Sequence, residues 1–154
     1  SMGLIHQKLY QGANPGSIEM KDYFKNLSEG ILDAFAADDK VKIECAMEKL
    51  ELDIDTAVPI GLIVNELLVN SLKYAFPENT PGSIQIRLSK SGPDSLSLSV
   101  SDNGIGKITG QQALGTGFGS QLILLLTRQL DGEMTEISDA GTSTSFLFRT
   151  GKAA

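Results

Sequence analysis

The sequence predicts an α+β fold of two layers, with a mixed, mostly antiparallel sheet carrying helices on one face. Three observations predict it. Between residues 41 and 149, segments that alternate apolar and polar residues come in pairs, and single stretches of helical periodicity separate the pairs. Ser91-Gly92-Pro93-Asp94, between two such segments, has the composition of a hairpin turn. The chain has 154 residues, 41% of them hydrophobic, which suits one domain with a sizeable core.

Taken in order, residues 3–11 read as the end of a helix, with Leu4, Ile5, Lys8 and Leu9 at helical spacing. Residues 12–16, GANPG, break it and mark the one plausible domain boundary, so 1–16 and 17–154 are expected to be separate units. Ser17 is the expected N-cap of a helix to about Ala37, with Met20, Tyr23, Phe24, Leu27 and Ile31 on its apolar side. Residues 41–47 and 50–54 alternate, predicting two strands joined by a short turn. Asp55-Thr56 caps a helix running to Phe76, with Pro59 in its first turn. Strands are expected at 83–89 and 95–101, and a helix at about 118–130 that Asp131-Gly132 stops. Strands at 134–137 and 142–149 complete the order.

Bulk properties exclude several classes. The net charge of -6 disfavours nucleic acid and anionic membrane as partners. One cysteine, Cys45, and one histidine, His6, rule out an intrachain disulfide and Cys- or His-rich metal clusters. Cys45 alternates with Val41 and Ile43, as a buried strand residue would. No apolar run is expected to reach membrane-spanning length, and no signal peptide is expected, which makes a cytoplasmic setting the default. Ser1-Met2 reads as a vector remnant, so the chain is expected to be a piece of something longer.

Four motifs carry candidate chemistry. On the helix at 59–76, Ile60, Ile63, Val64, Leu67, Leu68, Ser71, Tyr74 and Ala75 share a broad face. Glu66, Asn70 and Lys73 fall opposite, within roughly 60° of arc. A carboxylate, an amide and an ammonium so grouped suit a hydrated cation and its anion; an ordinary solvated i,i+4 pair has the same spacing. Asp102-Asn103-Gly104-Ile105-Gly106 places a carboxylate at a strand end, followed by glycines that let a flat ligand approach the backbone, or it is simply a turn. Gly115-Thr116-Gly117-Phe118-Gly119 opens a helix, where unpaired N–H groups favour an anion; a hinge has the same composition. Gly141-Thr142 brings a hydroxyl to the start of the last strand.

In this order, Glu66/Asn70/Lys73, Asp102-x-Gly104-x-Gly106, Gly115-x-Gly117-x-Gly119 and Gly141-Thr142 resemble the N, G1 and G2 boxes and following strand of the GHKL ATP-binding superfamily. That group includes gyrase, Hsp90 chaperones, MutL proteins and histidine kinases. The resemblance spans about residues 41–149 and implies the two-layer sandwich called the Bergerat fold, with ATP and Mg²⁺ as ligands. It implies Mg²⁺ at Asn70, phosphate at Lys73, Gly115, Thr116, Gly117 and Gly119, and the adenine amine at Asp102. Gly104, Ile105 and Gly106 would shape the base pocket, Thr142 would support it, and residues 107–114 would form a lid. Leu4–Gln11, Asn65-Glu66-Leu67 and Lys73–Pro77 further resemble the HisKA_2 class of sensor histidine kinases.

This resemblance implies phosphoryl transfer from ATP to a histidine on dimerisation helices. It also implies a response-regulator receiver as the next acceptor and a homodimeric full-length protein. His6 is not expected to be the acceptor, and the chain by itself is not expected to phosphorylate itself. Glu66 stands where many kinases carry Asn, and either a general base or an orienter of acceptor or metal-bound water fits it. An anti-sigma-factor-type serine kinase of the same fold, or a degenerate nucleotide-binding module, are the rival readings.

Overall fold

The computed structural model describes residues 16–35, 40–75, 81–103, 117–138 and 142–149. Its strands are β1 (Ser17–Glu19), β2 (Val41–Cys45), β3 (Glu51–Asp53), β4 (Gly82–Gly92), β5 (Ser95–Asp102), β6 (Glu133–Ser138) and β7 (Thr142–Arg149). Its helices are α1 (Met20–Ala34), α2 (Ile54–Asn70) and α3 (Gly117–Gln129), and a π-helical turn, Ser71–Ala75, extends α2.

Alternation along β5 defines the faces of the main sheet. Leu96, Leu98 and Val100 are buried, while Ser95, Ser97, Ser99 and Ser101 point the opposite way. β5 lies at the centre of five strands in the order β2-β4-β5-β7-β6. The β2–β4 pair is parallel and the other three pairings are antiparallel. Register aligns the buried rows across strands: Leu88, Leu98 and Phe146 form one, Ile86, Val100 and the polar Thr144 the next. The apolar members of these rows join side chains of the three helices in a single apolar cluster, each large one contributing roughly 1.5–3 kcal/mol on burial. The mixed, mostly antiparallel sheet and its helices agree with the expected fold class.

Helix α2 is the element the others pack around, touching both α1 and α3. Ile60, Ile63, Val64 and Leu68 are fully buried, as the expected apolar face requires, and Leu67 is half-buried. The stretch Ile54–Lys73, 20 residues long, is apolar enough by composition to cross a bilayer, contrary to expectation. Of its apolar side chains, Ala57, Ile60, Ile63, Val64 and Leu68 are buried in this core, and Leu62, Leu67 and Val69 pack against it half-buried.

Several boundaries differ from expectation. Ser17 is a strand residue, and Glu19 caps α1 by accepting from Lys21 N and Asp22 N, at 3.2 and 3.1 Å. The same Glu19 carboxylate accepts Leu50 N at 2.8 Å, so it also ties the chain ahead of β3 to the start of α1. The segments expected as a strand pair at 41–47 and 50–54 belong to different sheets. β2 joins β4, whereas β3 pairs with β1 in a separate two-stranded ribbon. Helix α2 begins earlier than expected, because Asp53 rather than Asp55-Thr56 is its cap, accepting Thr56 N at 3.2 Å and Thr56 Oγ1 at 2.8 Å. Pro59 therefore lies in the second turn of α2. The expected helix 3–11, His6 and the Asp139-Ala140-Gly141 turn lie outside the described residues.

The α1–α2 contact rests on one close approach. Tyr23 is buried at 3% exposure, and its ring lies where a side chain at Gly61 would stand. Its hydroxyl has no hydrogen-bond partner, and burial pushes its pKa up to about 12. Gly61→Ala is expected to destabilise the domain by about 1–3 kcal/mol through overpacking, with Tyr23→Phe neutral or stabilising, as measured by urea unfolding. A tyrosine whose folded pKa exceeds its unfolded value of 10.0 stabilises fully below pH 10 and loses that contribution as pH rises through about 12. Tyr23→Phe should accordingly remove part of the loss of stability seen between pH 10 and 12.

Candidate nucleotide site

Asp102 is a core position occupied by a carboxylate. It has the same parity as Leu96, Leu98 and Val100, so it continues the helix-facing row of β5 at the point where that row reaches the end of the strand. Its register neighbours are Ile84 on β4 and Thr142 on β7. A partly buried carboxylate needs donors, since withdrawing the charge from water uncompensated costs several kcal/mol. Two are in place, one on each oxygen. Thr142 N donates to Oδ1 at 3.2 Å, and Ser71 Oγ donates to Oδ2 at 3.0 Å.

The next residue, Asn103, holds the strand end in place. Its N–H donates to Ser83 O at 3.2 Å and its Oδ1 accepts Ser83 N at 2.8 Å, extending the β4–β5 ladder by one side-chain rung. Asp102 therefore leaves the sheet from a fixed backbone.

Ser71 belongs to the C-terminal end of α2. There Glu66 and Asn70 are half-buried and Lys73 is exposed. Asn70 is the last α-helical residue, and the π turn starts at Ser71, whose N–H is shared between Leu67 O and Leu68 O. Wide turns of this kind are frequent at functional sites. Each residue rotates less in such a turn than in an α-helix, so Lys73 does not keep the 100° spacing from which its arc with Glu66 and Asn70 was read. The structure brings Asp102, Thr142 and the Asn70-Ser71 end of α2 together. Gly117 and Gly119 lie in the first turn of α3, as expected. Gly104, Ile105, Gly106, Gly115, Thr116 and the lid at 107–114 lie outside the described residues.

Sequence reasoning missed Ser71, placing it with the apolar face of the helix. The signal was present: a hydroxyl interrupts that face directly after Asn70. Cys45 is half-buried on β2, and burial raises its pKa despite Lys21 and Lys25 nearby, so it remains a thiol at neutral pH as expected of a strand residue. Among the described residues, no group of three or more His, Cys, Asp or Glu side chains is placed to hold a metal ion. A carboxylate fixed at both oxygens is an acceptor of set direction, and its chemistry fits an exocyclic amine on a flat base.

A mixed sheet carrying helices, with this carboxylate where the central strand meets the longest helix, defines a class of nucleotide-binding domain. Residues 55–152 match the family of histidine kinase-, DNA gyrase B- and HSP90-like ATPases, and the chain belongs to that family. It is an ATP-binding domain. Blue-light-activated histidine kinase 2 of Erythrobacter litoralis is 30% identical over 105 residues, covering 68% of this chain and 30% of that protein. The chain thus spans about a third of the length of this relative. Among solved structures, the histidine kinase domain of the E. litoralis EL346 blue-light activated histidine kinase superposes with a TM-score of 0.78 at 24% identity. That match covers 94% of this chain and 69% of the other. The mycobacterial sensor histidine kinase MprB matches with a TM-score of 0.67 at 17% identity, over 86% of this chain and 95% of the other. At these identities the structural likenesses establish the fold.

Removing the Asn103 amide should loosen the strand end that presents Asp102. Asn103→Ala is expected to cost about 0.5–1.5 kcal/mol and to raise amide exchange at Ser83, measured by hydrogen–deuterium exchange. Unchanged protection at Ser83 would contradict the side-chain rung.

Proposed function

We propose that the chain is the catalytic ATP-binding domain of a two-component sensor histidine kinase. The observation that carries this is the Asp102 carboxylate, fixed at both oxygens where β5, β7 and the end of α2 meet, in a domain of this ATPase family. Asp102 reads the adenine amine, with Thr142 beside it as support, and Gly104, Ile105 and Gly106 continue the base pocket. Asn70, Lys73 and the Gly115–Gly119 segment hold the phosphates.

Magnesium commonly binds through substrate phosphates and one or two protein oxygens, and the Asn70 amide supplies such an oxygen. When bound, the ion neutralises the charge that develops on the transferring phosphoryl group. A histidine nitrogen on the dimerisation helices attacks the γ-phosphorus, the bond to the β,γ-bridging oxygen breaks, ADP leaves, and the imidazole proton passes to solvent. The phosphoryl group then goes to an aspartate on a receiver domain. Because a neutral imidazole nitrogen already carries a lone pair, Glu66 need only orient the acceptor or a metal-bound water.

Two features support a domain start near residue 17. Ile54 N donates to Gly16 O at 3.2 Å, and Ser17 Oγ donates to Glu51 at 2.9 Å, so the ordered contacts of this unit include both residues. Gly16 adopts φ of 93°, a left-handed conformation that favours glycine, at the approach to β1. The segment before it is assigned to the dimerisation helices of a HisKA_2-class homodimer on the cytoplasmic side. The name of the E. litoralis relative favours a histidine acceptor over a serine-bearing antagonist.

The test supplies acceptor helices in trans with labelled ATP and asks for acid-labile phosphate on them. Parental protein should label them, and Asn70→Asp and Asp102→Ala should each abolish the signal. Normal transfer by either variant would overturn the site, and acid-stable phosphoserine as the product would overturn the class of kinase.

A further inference from the structure

Strand β2 is an edge of the main sheet. Lys40 O accepts Gly82 N and Ala46 N donates to Ile86 O, so the even-numbered residues of this segment turn their backbone groups toward β4. Those groups alternate in direction along an extended chain, and Val41, Ile43 and Cys45 therefore turn theirs outward. Among the described residues no strand pairs with that side. The Cys45 carbonyl accepts Met47 N at 3.0 Å and keeps its second lone pair. Such a row is a template for a further strand. Lysine on an edge ordinarily discourages pairing, because an incoming chain must accommodate the charge. Here the protection is incomplete, since Glu44 follows Lys42 on the same face.

Val41-Lys42-Ile43-Glu44-Cys45 carries opposite charges placed symmetrically about Ile43. An antiparallel copy centred there sets Lys42 opposite the partner's Glu44 and Val41 opposite the partner's Cys45. The outward-turned residues then fall in hydrogen-bonded pairs. The charged ones fall in the non-hydrogen-bonded pairs, where side chains stand closest. Helix α1, which packs on β2, repeats the pattern. Lys21, Lys25, Glu29 and Asp33 form one i±4 row, basic at one end and acidic at the other. Lys21 and Lys25 lie near Cys45, so α1 runs antiparallel to β2, and an axis that reverses the strand reverses this row as well. Reversal turns its basic end toward the partner's acidic end. The opposite edge of the sheet lacks this property. The charges of β6 are Glu133 and Glu136, and a reversed copy sets acid against acid.

We propose that β2 is a self-association edge: two copies of this chain join antiparallel through Val41–Cys45, with Lys42 and Glu44 paired across a two-fold axis at Ile43. The occupant is a second copy because the charges of β2 and of the α1 row both complement their own reversal. The axis is normal to the sheet, so two five-stranded sheets become one and both sets of helices lie on the same side. This contact is separate from the dimerisation helices proposed above, and it does not depend on the nucleotide reading.

The experiment is sedimentation equilibrium of this chain under reducing conditions over a range of concentrations, with melting temperature recorded for each variant. The parental chain should pass from monomer to dimer as concentration rises. Lys42→Glu and Glu44→Lys should each weaken the dimer roughly tenfold, since both cross-strand ion pairs become like-charge pairs. An equimolar mixture of the two variants should restore association as a heterodimer, because every cross-strand pair is again of opposite charge. Should either strand variant not fold, Lys25→Glu and Glu29→Lys, mixed in the same way, carry the same expectation on α1. A parental chain that stays monomeric at every concentration would overturn the proposal. A dimer indifferent to the single changes, or a mixture that associates no better than its components, would do the same, since association would then use another surface.

Discussion

A carboxylate placed in line with the core residues of a central strand constrains everything around it. Asp102 stands where the β5 alternation calls for another apolar side chain, facing the helices. Leaving it unsatisfied would cost several kcal/mol, a large share of the stability of a small domain. The fold meets this cost by bringing two unrelated donors to it, one from the neighbouring strand and one from the helix above. Those bonds orient the acceptor within the fold itself, so the requirement for stability and the base recognition proposed for Asp102 have the same solution.

Helix α2 connects that carboxylate to the rest of the molecule. Its buried residues fill the space over the sheet, its cap at Asp53 follows directly from the β1–β3 ribbon, and its far end widens into a π turn at Ser71. Glu66 and Asn70 are half-buried at this end, beside the residue that bonds Asp102. A single rigid element therefore sets the distance between the proposed base and phosphate ends of the nucleotide. The Tyr23–Gly61 contact fixes the position of α2 against α1, and the absence of a side chain at Gly61 is what permits it.

Much of this was legible in the sequence, for physical reasons that also explain the failures. Alternation on β4, β5 and β7 and the Pro93-Asp94 turn gave the antiparallel core of the sheet, because period-two burial is strong when one face is covered. The same alternation placed Asp102 at the strand end. What failed depends on partners distant in sequence. Residues 41–47 and 50–54 read as a pair, yet nothing local reveals that β2 adds parallel to β4 and β3 pairs with residues 17–19. Ser17 resembled a cap, and the strand pairing of β1 with β3 overrode it, leaving Glu19 to cap the helix with its longer side chain. Ser71 shares the sheet-facing side of the helix with its apolar neighbours, and a regular projection places it there correctly while saying nothing of a polar role. Its hydroxyl acquires meaning only through a carboxylate 31 positions away.

The central claim is that Asp102 and the end of α2 form the two ends of one nucleotide site. A crystal structure of this chain with Mg²⁺ and a non-hydrolysable ATP analogue tests it most directly. The account requires the adenine amine within about 2.7–3.2 Å of the Asp102 carboxylate, and the metal bound to phosphate oxygens and the Asn70 amide oxygen. A nucleotide bound with its base away from Asp102, or with Asn70 turned from the phosphates, would contradict it.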